Sequence, residues 1–76
     1  MKAYVLINVR IGGIDEVLRN LRRLEGVIEA HMTFGPYDVV AVVEAADINR
    51  LGNMLSAYIH PIPGVLETLT CLAVDS

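Results

Sequence analysis

The chain has 76 residues, 54% of them hydrophobic and 20% charged, with a mean hydropathy of +0.50, which is room for one core and too apolar for a disordered segment. Nine acidic against six basic side chains give a net charge of −3, the wrong balance for a surface that tracks nucleic-acid phosphates. Its apolar stretches, such as Ala3 to Ile7 and Val39 to Val43, fall far short of the roughly 20 residues that cross a bilayer.

Residues 3–9, Ala-Tyr-Val-Leu-Ile-Asn-Val, are mostly β-branched, aromatic or aliphatic and run into Gly12-Gly13, which predicts a first strand and a turn. From Ile14 the period changes. Val17, Leu18, Leu21 and Leu24 follow it at offsets of three, four, seven and ten, the stripe of an amphipathic helix. Asp15 and Glu16 open that helix and Arg22 and Arg23 close it, each complementing the helix dipole, with Gly26 just beyond as terminator. Arg19, Arg22 and Arg23 are interspersed with acids and read as a solvated face.

Val27 to Phe34 alternates, with Ile28, Ala30, Met32 and Phe34 expected on one face and Val27, Glu29, His31 and Thr33 on the other. Gly35-Pro36-Tyr37 supplies turn chemistry, and Asp38 to Ala45 continues as a third strand, completing a hairpin. Asp47 is placed to cap a second helix striped by Ile48, Leu51, Leu55 and Ile59, which stops before Pro61 and Pro63. Gly64 to Asp75 forms the last strand.

The order β-α-β-β-α-β predicts an α+β, ferredoxin-like domain over residues 1–76: a four-stranded antiparallel sheet with both helices on one face. Two helices cover one face only, so the other should alternate apolar with polar. It does not. Tyr4 and Leu6 back Val5, Ile7 and Val9, and Val40 and Val42 back Val39, Ala41 and Val43, while the last strand offers Leu69 and Cys71 on one side and Leu66 and Leu72 on the other. An apolar face of several hundred Å² exceeds what soluble monomers usually expose. A second copy packed sheet to sheet about a two-fold axis is the expected cover, giving a dimeric α/β sandwich.

Gly35-Pro36-Tyr37-Asp38 entering strand three, Ile62-Pro63-Gly64-Val65 as a turn and Thr68-Leu69-Thr70 on the last strand occur in that order along this frame. Together they resemble the effector-binding module of the Lrp/AsnC transcription regulators, the RAM domain, over essentially the whole chain. The resemblance implies amino-acid binding in clefts between dimers, within higher assemblies that are commonly octamers. Full-length members also carry an N-terminal helix-turn-helix. This chain begins at strand one with no basic recognition helix, so a stand-alone module without direct nucleic-acid binding is expected, modulating Lrp/AsnC-type DNA-binding relatives.

A free amino acid needs an anionic acceptor for its ammonium and donors for its carboxylate. Asp38 is the expected acceptor, backbone N–H groups around Gly35 the expected donors, and Thr68 and Thr70, two apart on one strand, the expected hydroxyls from a neighbouring subunit. Tyr37 closes the pocket or packs beneath the turn, and His31 lines it. The plainer alternative stays open: Asp38 satisfies local backbone N–H groups in a hairpin turn, and the threonines are good strand residues.

No cofactor or metal is expected, because neither His31 nor His60 has a Cys or carboxylate at ligand spacing, and no nucleophile and base are paired for catalysis. Lone Cys71, set among Leu69, Leu72 and Val74, reads as a small buried hydrophobe, and Met54 as core or interface filling. A membrane partner is not expected, and with no basic, apolar and small-residue signal pattern at the start, the expected location is cytoplasmic. Rival readings are an ACT-like amino-acid sensor, which Gly12-Gly13 would suit, a purely structural oligomerisation module, and a small cofactor-free enzyme.

Overall fold

The computed structural model describes residues 1–75. Strands β1 (Lys2–Val9), β2 (Val27–Met32), β3 (Val39–Glu44) and β4 (Val65–Leu72) form one antiparallel sheet in the order β2-β3-β1-β4, with helices α1 (Ile14–Arg23) and α2 (Ile48–Met54) in the two crossovers. The ferredoxin-like arrangement is the one the residue pattern predicts. β1 is central because it is apolar on both faces and can be hydrogen-bonded on both sides.

The core lies between the sheet and the helices. Ala3, Val5 and Ile7 from β1 and Val39, Ala41 and Val43 from β3 are wholly buried there, against Val17 and Leu21 of α1 and Ile59. α1 has no side-chain N-cap and leans on Asp15, Glu16, Arg22 and Arg23 for dipole complementarity. Asp47 caps α2 as expected, accepting from the Arg50 N–H at 2.8 Å. Gly26, at φ +96°, turns the chain from α1 into β2, and a Cβ there would lie 2.5 Å from Met54 Cε.

Three details differ from the expected pattern. A bulge between Val27 and Glu29 makes Ile28 the extra residue, so Val27 opposite Val43 and Ala30 opposite Ala41 both face the core. Strict alternation had put them on opposite faces. The second helix continues past Met54 as a single π turn, Leu55–Ile59, in which the His60 N–H donates to the Leu55 carbonyl at 2.8 Å. The wider turn carries Ile59 and then Ile62 into the core, while Ile48, the first residue of the expected stripe, is exposed. Cys71 is exposed, not buried. It stands opposite Tyr4 on the helix-free face.

Candidate ligand-binding site

The residues singled out from the sequence divide between two faces and two edges of the sheet. The β2–β3 hairpin lies at the end of the sheet where β1 finishes and β4 begins, since Met32 and Val39 pair beside Ile7, and Val9 opposes Val65. Asp38 is built into that end. Its N–H donates to the Ile7 carbonyl at 3.0 Å, its carbonyl accepts from the Thr33 N–H at 2.9 Å, and its Oδ2 accepts from the Val9 N–H at 2.8 Å. The carboxylate thus bonds the backbone of β1 and not local N–H groups of the hairpin turn; this fixes its direction, and among the described residues Oδ1 takes no protein hydrogen bond. Thr33 Oγ1 donates to the Tyr37 carbonyl at 2.7 Å and closes the turn. Tyr37 is half-buried beside it, and Gly35 is exposed with open space around its Cα.

Thr68 and Thr70 share a face, as their spacing requires. They oppose Ile7 and Val5, which puts them on the helix side of edge strand β4. Thr68 Oγ1 and His60 Nε2 share a hydrogen bond of 3.0 Å, at a cleft of about 220 Å³ lined by His60, Val65, Leu66, Glu67 and Thr68. His31 is elsewhere. It opposes Val40 on the helix-free side of the opposite edge strand, β2, and its Nε2 lies 3.0 Å from Glu29 Oε1. One copy therefore brings Asp38 and the hairpin to one end of the sheet but does not join His31 to Thr68 and Thr70.

Two residues carry geometry that local sequence signals do not disclose. His60 draws notice in the sequence only as an isolated imidazole, because its partner is delivered by the π turn. Arg22 is more than a solvated cation: Nε and Nη2 donate to the Ala30 carbonyl at 3.2 and 2.7 Å, covering an acceptor on the free edge of β2.

The helix-free face is a surface in its own right. Across the sheet run two apolar rows, Cys71-Tyr4-Val42 and Leu69-Leu6-Val40, ending on β2 at Glu29 and His31. Lys2 and Glu44 bound the rows at one end and Asn8 and Glu67 at the other. Tyr4 is 39% exposed and Leu69 49%, so an apolar centre with a polar rim faces outward.

Residues 2–76 match the family model of the Lrp/AsnC ligand binding domain. The chain is 34% identical over 76 residues to the HTH-type transcriptional regulator FL11 of Pyrococcus horikoshii, covering 100% of this chain and 50% of that protein. It thus spans about half the length of that curated relative. The crystal structure of TTHA0845 from Thermus thermophilus superposes with a TM-score of 0.93 at 32% identity, covering 99% of this chain and 94% of that one. A transcriptional regulator from Neisseria meningitidis, NMB0573, solved as a complex with L-Met, shares the fold alone, with a TM-score of 0.90 at 13% identity over 97% of this chain and 49% of that one. The matching family model describes a regulatory ligand-binding domain, not an enzyme, and the chain belongs to the Lrp/AsnC ligand-binding family of transcription regulators.

Proposed function

We propose that this domain binds a free amino acid at a site completed between copies of itself, and that occupancy is read out through the assemblies it forms, with itself and with full-length Lrp/AsnC regulators. The observation that carries this reading is the position of Asp38. Its Oδ2 is held by the Val9 N–H, and Oδ1, without a hydrogen bond among the described residues, can accept from an ammonium at the hairpin end of the sheet. Gly35 leaves the neighbouring backbone approachable, and Tyr37 forms the wall beneath it. The carboxylate end of the ligand meets hydroxyls of Thr68 and Thr70, supplied by a neighbouring copy, and His31 lines the opening.

Assembly begins with the apolar rows on the helix-free face packing on the same face of a second copy about a two-fold axis. Further association, to an octamer or a related ring, brings hairpin ends against β4 edges. Ile11 and Phe34, both essentially fully exposed at the hairpin end, support a contact there. The net charge of −3 supports a role without direct nucleic-acid binding, and among the described residues no helix is long and apolar enough to cross a membrane. The proposed location is the cytoplasm.

Calorimetric titration of the assembled protein with each of the twenty amino acids tests the reading. Asp38→Asn keeps an oxygen for the Val9 N–H and removes the charge an ammonium needs, so affinity for the bound amino acid should fall at least tenfold with little change in melting temperature. No heat from any of the twenty at millimolar concentration refutes the reading and leaves the structural oligomerisation module that the apolar face alone would support.

A further inference from the structure

The π turn at Leu55–Ile59 sets His60 against β4. An α-helical continuation would bond the His60 N–H four residues back; here it bonds Leu55, five back, and single π turns of this kind are frequent at functional sites. The ring then reaches across to Thr68, Nε2 to Oγ1 at 3.0 Å. Burial does not demand this bond, because His60 is exposed and both groups could be satisfied by water. Thr68 opposes Ile7 on one side of β1, and on the other side the Ile7 carbonyl accepts from the Asp38 N–H, so in each copy the His60–Thr68 pair and Asp38 flank the same end of β1.

A threonine hydroxyl has one proton to give and lone pairs to receive. When an imidazole nitrogen accepts from it, that proton is used and the hydroxyl turns its lone pairs outward. When an imidazole N–H donates to it, the proton is free for a ligand. In the proposed site Asp38 Oδ1 accepts from the ammonium, and the carboxylate needs side-chain donors beyond the backbone N–H groups around Gly35.

We propose that His60 is a positioning residue that donates from Nε2–H to Thr68 Oγ1, turning the Thr68 proton toward the carboxylate of the bound amino acid. The proposal rests on the amino-acid-binding reading above. It makes His60 responsible for discrimination between a carboxylate and its uncharged carboxamide, a property that packing alone would not supply.

Each of the twenty amino acids and the carboxamide of whichever binds would be titrated calorimetrically into wild type, His60→Ala, His60→Gln and Thr68→Val, with melting temperature and assembly size measured alongside. His60→Ala and Thr68→Val should each weaken amino-acid binding about tenfold, the worth of one hydrogen bond to a charged group, and should shrink the preference over the carboxamide by a similar factor. His60→Gln, whose amide N–H can replace the donor, should recover most of both. Loss of binding in Thr68→Val with affinity and preference unchanged in His60→Ala overturns the role of His60 and leaves the binding reading standing. An unchanged Thr68→Val overturns the proposal and removes Thr68 from the site. Absence of any binding to wild type overturns the reading on which both depend.

Discussion

Leu6→Glu is the sharpest test of the helix-free face. Leu6 lies on the central strand, with Val40 on one side and Leu69 on the other, so it sits in the middle of the apolar rows. It does not belong to the core under the helices, and the chain's own fold should survive the change. In a two-fold sheet-to-sheet dimer a central residue lies near its own symmetry mate and counts twice. Two carboxylates about 6 Å apart repel by roughly 3 kcal/mol at an effective dielectric constant of about 20. Desolvating each adds several kcal/mol more, so the dimer should lose at least about 5 kcal/mol, or more than roughly a thousandfold in Kd. Leu6→Ala provides the graded control. It removes part of one side chain from each copy, about 1 kcal/mol apiece, for a loss of roughly thirtyfold. Sedimentation equilibrium across nanomolar to micromolar protein, with circular dichroism to confirm native secondary structure, reads both. A Leu6→Glu protein that is folded and still dimeric at about 1 μM refutes the assignment of this face to self-association.

Asp38→Ala should lower stability by about 1–3 kcal/mol, because it strips the half-buried Val9 N–H of its acceptor, while Asp38→Asn should cost much less; thermal melts of the two variants decide whether the carboxylate's structural role is a hydrogen bond or a charge. Gly26→Ala forces a β-carbon into the left-handed region and against Met54 Cε, and should destabilise by about 1–3 kcal/mol in urea titration; a neutral result would mean that Met54 swings aside and the turn tolerates the strain. Arg22→Ala uncovers the Ala30 carbonyl on the edge of β2, and should lower the temperature at which light scattering rises without changing dimer affinity; an unchanged scattering onset would show that the edge needs no cover.

The fold was legible because its signals are local. The period of α1 from Ile14 to Leu24, the Gly35-Pro36 interruption and the Asp47 cap each declare themselves within a few residues, and the structure follows all three. What escaped depends on partners distant in sequence or on a single inserted residue. The bulge at Ile28 puts Val27 and Glu29, expected on one face, on opposite faces of the sheet, and nothing in Val-Ile-Glu-Ala marks it. The π turn likewise adds one residue to a helix whose stripe reads equally well as continuous. For the candidate site, the residue types at the hairpin were readable and their bonds were not. The Val9 N–H that holds Asp38 comes from another strand, and the Ala30 carbonyl held by Arg22 becomes an edge acceptor only once the strand order is known.

Edges and faces together decide how copies can meet. A sheet with two open edges invites strand-to-strand pairing, which is the association an ACT-like sensor would use. Here β2 has one acceptor covered by Arg22 and presents Glu29 beside its bulge, and a bulge twists an edge away from flat pairing. β4 is irregular as well, with its register broken opposite Asn8 and Val9 and Leu66 projecting to solvent. The helix-free face has no such obstruction: its two apolar rows are continuous across β4, β1 and β3, and its charges stand at the rim. Self-association through that face leaves the hairpin end, the His60–Thr68 cleft and both edges free for a second contact of different geometry. A ligand bound at that second contact can shift assembly only by its differential affinity for the joined and separated copies, and a site divided between copies has that difference built in. On the proposed reading, the separation of His31 from Thr68 and Thr70 in one copy gives a bound amino acid that differential affinity for the joined copies.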